Sequence, residues 1–258
     1  MVSVAASSSG EKLRGARAPS IWVAGVDGCR GGWLAVIVGM TAVSEQPVRV
    51  IARLCANFGE VLALPEWPGV IAVDMPIGLL DRPVPGGRAC DREARKVLGR
   101  LRASSVFTPP TRPGLAALRY AEVAALNGTG MSKEAFNILP KIRELDAVLT
   151  PCDHQRVFEA HPELAFAALA GAPVRHNKKT PEGRRARARL LRRIFGKAFL
   201  DPMRIRLEHG LARVALDDVA DAYVLAHVAD RIRRGVGTRL PAGQPAVDSR
   251  GLRMEIWY

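Results

Sequence analysis

IWVAGVDGCRGGW, residues 21–33, is a run of seven strand-forming residues that ends on a charge and reverses at once. A two-faced apolar run of this length reads as a buried strand, Ile21 to Asp27, and Gly28, Gly31 and Gly32 turn the chain into a second apolar run. A carboxylate at the mouth of a core strand needs a counter-charge, a metal or solvent, because an unpaired buried carboxylate shifts its pKa. Asp-Gly is also a common hairpin signal, so Asp27 alone is equally well read as a turn residue. Other carboxylates in positions to meet it decide between the two readings.

Outward from this stretch, residues 33–38 (WLAVIV) and 48–53 (VRVIAR) follow as strands, the second after the polar break at residues 44–47. Three strands joined by short turns predict an antiparallel meander. Residues 58–64 predict a short helix. The wholly apolar VIAVDMP, residues 70–76, then predicts a parallel central strand. It too ends on a carboxylate, Asp74, stopped by Pro76 and Gly78. Two adjacent parallel strands ending this way bring their acids side by side.

Further along, residues 88–101, 120–126 and 139–149 predict helices that together form an insertion around 88–150. Residues 103–114, with three prolines, predict an irregular loop. A short strand at 156–160 carries Glu159 and leads into His161 and Glu163, with Pro162 placed to open a helix to about Ala170. Thr180 is the expected N-cap of a helix to about Phe195. In the last helix, expected over about 217–234, Val214, Asp218, Asp221, Leu225, Val228 and Ile232 make one stripe. Two aspartates therefore occupy core-facing positions. Asp218 has an alternative use as a helix-terminal acid, whereas Asp221, a full turn in and between two alanines, has none. The final MEIWY, residues 254–258, predicts an edge strand or a tail packed on the core, and residues 1–20 predict a disordered lead-in.

At 258 residues with 48% hydrophobic content the chain has material for a sizeable core. No apolar run reaches the roughly 18 residues of a membrane helix, which predicts a soluble, cytoplasmic protein with no membrane partner. The four cysteines, Cys29, Cys55, Cys90 and Cys152, are dispersed, and neither a disulfide framework nor a zinc site is signalled. The formal net charge is +13. Most of it lies between Arg175 and Arg206, where twelve basic residues face two acids. Lys178, Lys179, Arg184, Arg185, Arg189 and Arg192 are the expected contacts to a phosphate backbone, DNA or RNA. With 5% aromatic residues, no stacking platform for single strands is evident.

The ordering of Asp27, Asp74, Asp218 and Asp221 resembles the RNase H-like superfold, particularly resolvase-type nucleases. More closely, GVDGCRGGW, VDMPIGL, CDREARKVLG with SSVFTPP, LPKIRELDAVL, EAHPE, KKTPEGRRAR, DDVADAYVLA and GLRMEIWY resemble, in order, the family called domain of unknown function 429, described as predicted RNase H-like nucleases. The resemblance implies an α/β fold in residues 21–258. Its core is a mixed five-stranded sheet, an antiparallel meander plus parallel strands, flanked by helices. It implies Asp27 as the first-strand acid, Asp74 as the fourth-strand acid, where resolvase-type enzymes more often have Glu, and Asp218 and Asp221 as the helix pair. Glu159, His161 and Glu163 look like a signature of the narrower family.

The expected chemistry is phosphodiester hydrolysis by Mg²⁺ or Mn²⁺ ions about 3.5–4 Å apart, held by Asp27, Asp74, Asp218 and Asp221. Glu159 and His161 are further catalytic candidates, His161 for proton transfer or for orienting Glu159. Sugar kinases and actin-like ATPases share the superfold and also begin with a strand, an Asp and a glycine-rich hairpin, so a nucleotide-binding phosphotransferase module is the alternative. Against it stand a single core and no second phosphate loop. A non-catalytic scaffold is the third reading.

Overall fold

A computed structural model describes residues 19–41 and 46–258. The expected lead-in falls largely on residues 1–18, and part of the expected 44–47 break on residues 42–45, both outside the described residues. The meander forms as expected: β1 (Ile21–Cys29), β2 (Gly32–Met40) and β3 (Arg49–Cys55), with Asp27 opposite Leu34 in the β1–β2 ladder. α1 (Phe58–Leu62) follows, and β4 (Val70–Val73) then pairs parallel to β1. It is shorter than the apolar run, because Met75 and Pro76 turn the chain away. β5 (Val157–Glu159) pairs parallel to β4, giving the order β3-β2-β1-β4-β5. This is the expected mixed five-stranded sheet, an antiparallel meander plus parallel strands.

Between β4 and β5 lie α2 (Ala89–Arg102), α3 (Val123–Asn127), α4 (Lys133–Asn137) and α5 (Leu139–Val148). The helix expected over 120–126 is split, its first turn tightened to a 3₁₀ turn at Tyr120–Glu122. After β5 come α6 (Pro162–Ala170), α7 (Pro181–Phe195), α8 (Pro202–His209) and α9 (Leu216–Arg233). Thr180 caps α7 by accepting from the Gly183 amide at 3.1 Å. The chain end forms β7 (Ile256–Trp257), paired antiparallel with β6 (Arg239–Leu240), and Trp257 bridges to Ala160 beside β5. The expected edge element is thus a separate two-stranded sheet. Among the described residues no helix is long and apolar enough to cross a membrane.

Period-two alternation assigns each strand residue to a face. Ala24, Val26, Trp33, Ile37, Ile71 and Val73 pack with α1 and α5 on one side. Val23, Leu34, Val36, Val70 and Ala72 pack with α7 and α9 on the other. Burying large side chains on both faces contributes about 1.5–3 kcal/mol each, enough to specify the register. On the α9 side Gly25 has no side chain, and α9 fills the space: a Cβ there would lie 2.0 Å from the Ala226 nitrogen. Gly25 and Asp27 share this face, so the seat of α9 leads directly to the first acid.

Candidate active site

β1 and β4 carry the first two acids. The Asp74 amide donates to the Val26 carbonyl at 3.0 Å, continuing the parallel ladder one residue beyond β4 and bringing Asp74 beside Asp27. α9, seated on Gly25, brings in Asp221, which is 1% exposed. Its position on the inner stripe, flanked by the buried Val219 and Ala222, is the one the helical period implies. Asp218 lies one turn earlier, and its Oδ2 accepts from the Ala215 amide at 2.7 Å, so one oxygen also holds the start of α9. Val214 is buried but precedes the helix.

The acids strain one another. Burial, then repulsion from Asp74 and Asp221, holds Asp27 well above the usual carboxylate range against the attraction of Lys178. Burial pushes Asp221 up to about 7, with Lys178 opposing and Asp74 adding to the rise. Asp74 and Asp218 are raised as well, both chiefly by burial. Carboxylates so close do not all ionise comfortably without positive charge among them.

That charge comes from Lys178, which the sequence places with the phosphate contacts. Its Nζ donates to Asp221 Oδ2 at 2.5 Å. Burial opposes its charge, yet Asp221 and Asp27 hold the ammonium above its ordinary value. The opposite side of Asp27 is flanked by Lys141 of α5. Its Nζ donates to the Gly32 carbonyl at 2.6 Å and lies 4.4 Å from the Trp33 ring centroid. Gly28 admits it: a Cβ there would fall 2.6 Å from Lys141 Cδ.

Glu159 borders the same cleft as Asp27 and Asp74 but is held by other partners. It pairs with Val73 in the parallel ladder, so it lies on the α5 side of the sheet, opposite Asp27 and Asp74. There it accepts from Arg88 Nη1 at 2.7 Å, Arg88 Nη2 at 2.6 Å and the Ile77 amide at 2.7 Å. Arg88, 2% exposed, also binds Asp91. Burial lifts Glu159 to about 7 in spite of Arg88. Arg88→Met leaves two buried carboxylates uncompensated and is expected to cost about 3–5 kcal/mol in urea unfolding.

His161 caps α6, with Nε2 3.2 Å from the Ser105 carbonyl and a buried Nδ1 that has no partner. Its positive form attracts Asp74. Glu163 binds Arg187 Nη2 at 2.6 Å, while its Oε2 makes no hydrogen bond. Arg187 is 1% exposed and faces inward from α7. Lys179, Arg184, Arg185, Arg189 and Arg192 are exposed. Arg184, Arg185, Arg189 and Arg192 also line a groove of about 600 Å³ between α7, α8 and the start of α9.

Asp27, Asp74, Asp218, Glu159, His161, Glu163 and Lys178 line one cleft of about 850 Å³, Glu159 together with its partner Arg88. Asp221 is deeper, reached through Lys178. All-carboxylate donors suit Mg²⁺ or Mn²⁺, and Asp221 Oδ1, buried without a hydrogen-bond partner, is a free acceptor inside the cluster. Among the described residues no three acid, His or Cys side chains are already drawn into a ligand shell. The donor chemistry fits a divalent ion.

The raised acids fix a pH dependence. Asp221 moves from an ordinary 3.8 to about 7, and Glu159 from 4.5 to about 7. Between those limits the folded protein holds more protons than the unfolded chain, so stability rises as pH falls. Metal-free melting temperature is expected to rise from pH 8 to pH 6, with a smaller rise in Asp221→Asn.

A family model described as "Protein of unknown function (DUF429)" matches residues 25–246. Comparison with curated proteins returned no match. Among solved structures, the chain is similar to the Thermus thermophilus RuvC structure at 15% identity, covering 84% of this chain and 98% of that one, with a TM-score of 0.33. It is also similar to T. thermophilus RuvC in complex with Holliday junction substrate, at 16% identity over 84% and 97% of the two chains, again with a TM-score of 0.33.

Proposed function

We propose that this chain, which belongs to the DUF429 family, is a divalent-metal-dependent nuclease acting at the cleft between β1, β4 and α9. One observation carries the reading: Asp27 and Asp74 stand side by side at parallel strand ends, with Asp221 delivered to the same point by a helix seated on Gly25. A purely structural strand end gains nothing from gathering acids that raise one another's pKa.

Asp27, Asp74, Asp221 and the free oxygen of Asp218 are the groups that would hold Mg²⁺ or Mn²⁺. Such an ion supplies Lewis acidity at a phosphoryl oxygen and polarises water for attack on phosphorus. Lys141 bounds the site on the Asp27 side. Lys179 and the exposed arginines of α7 hold the phosphate backbone, which contributes affinity without reading bases. His161, beside Asp74 with an unpartnered Nδ1, is placed to hold or pass a proton. Glu159 acts as a positioning residue, fixing the β4–β5 end through Arg88.

The test is cleavage of a panel of DNA and RNA substrates, junctions and flaps included, by wild type and Asp27→Asn, in Mn²⁺ and in a chelator. Cutting that needs Mn²⁺ and Asp27 supports the reading; equal cutting by both proteins removes the site from it. A melting shift that requires ATP in addition to metal favours the phosphotransferase reading instead.

A further inference from the structure

Resting on the nuclease reading, we propose that Lys178 gates the metal site: its ammonium stands in for the divalent ion while the site is metal-free and must leave Asp221 before an ion is admitted. Lys178 Nζ sits on Asp221 Oδ2 at 2.5 Å. The other oxygen, Oδ1, is buried and makes no hydrogen bond. Asp27 and Asp74 attract the same ammonium. An ammonium and a divalent ion seek the same carboxylate oxygens and repel each other, so each weakens the other's hold by the same factor.

The backbone around the lysine is anchored. Thr180 Oγ1 donates to the Asn177 carbonyl at 2.9 Å, and buried Arg187 donates to the His176 carbonyl at 3.1 Å. Gly183 lets Asn177 lie against α7, for a Cβ there would be 1.9 Å from the Asn177 oxygen. The lysine side chain is 35% exposed, against 1% for Asp221. The gate is therefore a rotation of one side chain into the cleft, with the loop left in place.

The test is calorimetric titration of Mn²⁺ into the metal-free full chain as wild type, Lys178→Met and Lys178→Gln. Both variants are expected to bind Mn²⁺ tighter by about tenfold, within the usual range of coupled binding. Without metal they melt below wild type, because the acids lose their counter-ion, and saturating Mn²⁺ closes the gap. A lysine that only stabilised the fold would leave the gap open. A variant recovered folded only when Mn²⁺ is present supports the gate as well. Equal or weaker Mn²⁺ binding by the variants overturns the gate and leaves the nuclease reading standing. No Mn²⁺ binding by any of the three proteins overturns both.

Discussion

Asp27→Asn is expected to lower Mn²⁺-dependent cleavage at least about 100-fold, since losing a group that merely supports a metal ligand already costs 10–100-fold. Asp27 is flanked by Asp74 on the neighbouring strand and Asp221 on the helix, and repulsion from both acts on it. The variant is also expected to melt no lower than wild type at pH 8 without metal. Ionised Asp27 is held against burial and against its acid neighbours, and the amide keeps its shape while removing that repulsion. Loss of activity with undiminished stability separates a site residue from a core residue. A large drop in metal-free melting temperature would assign Asp27 to the fold instead.

Gly25→Ala is expected to cost about 3 kcal/mol or more, at or above the top of the usual range for overpacking a core. The added carbon would sit 2.0 Å from the Ala226 nitrogen and 2.1 Å from the Ala222 oxygen, both backbone atoms of a long helix that has no side-chain rotation to offer. Against a total stability of about 5–15 kcal/mol this is a severe change for one methyl group. α9 has to shift, and Asp221 shifts with it, so weakened Mn²⁺ binding accompanies the lower urea midpoint. A wild-type midpoint would mean that α9 is not seated on this glycine.

Much of this was legible in the residues. Asp27 and Asp74 stand out because long apolar runs end on them, and Asp221 because it breaks an apolar helical stripe between two alanines. The helix spans 162–170 and 181–195 follow from Pro162 and Thr180, local signals that need no tertiary information. Lys178 was legible only as charge: it lies in a loop without periodicity, and its partner is reached through the tertiary fold. Arg88 and Arg187 were hidden for another reason. On helices crowded with arginine, a buried guanidinium looks like its solvated neighbours, and only the carboxylates folded against it, Glu159 and Glu163, set it apart. The side taken by Glu159 follows from its register with Val73, which pairing alone determines. Lys141 had one faint signal, a second glycine directly after Asp27 that the strand itself did not need.

The bare backbone at Gly25 also bears on when the centre comes into being during synthesis. β1 and β4 lie early in the chain, while α9, which covers Gly25 and carries Asp221, lies near its end. Contacts so distant in sequence form late. A nascent chain halted before residue 216 has the two strand acids but no helix to complete the cluster, and the strip over Gly25 is open. The acid centre is thus completed by the same docking event that closes the core, and a ribosome-bound fragment lacking α9 holds only its two strand acids.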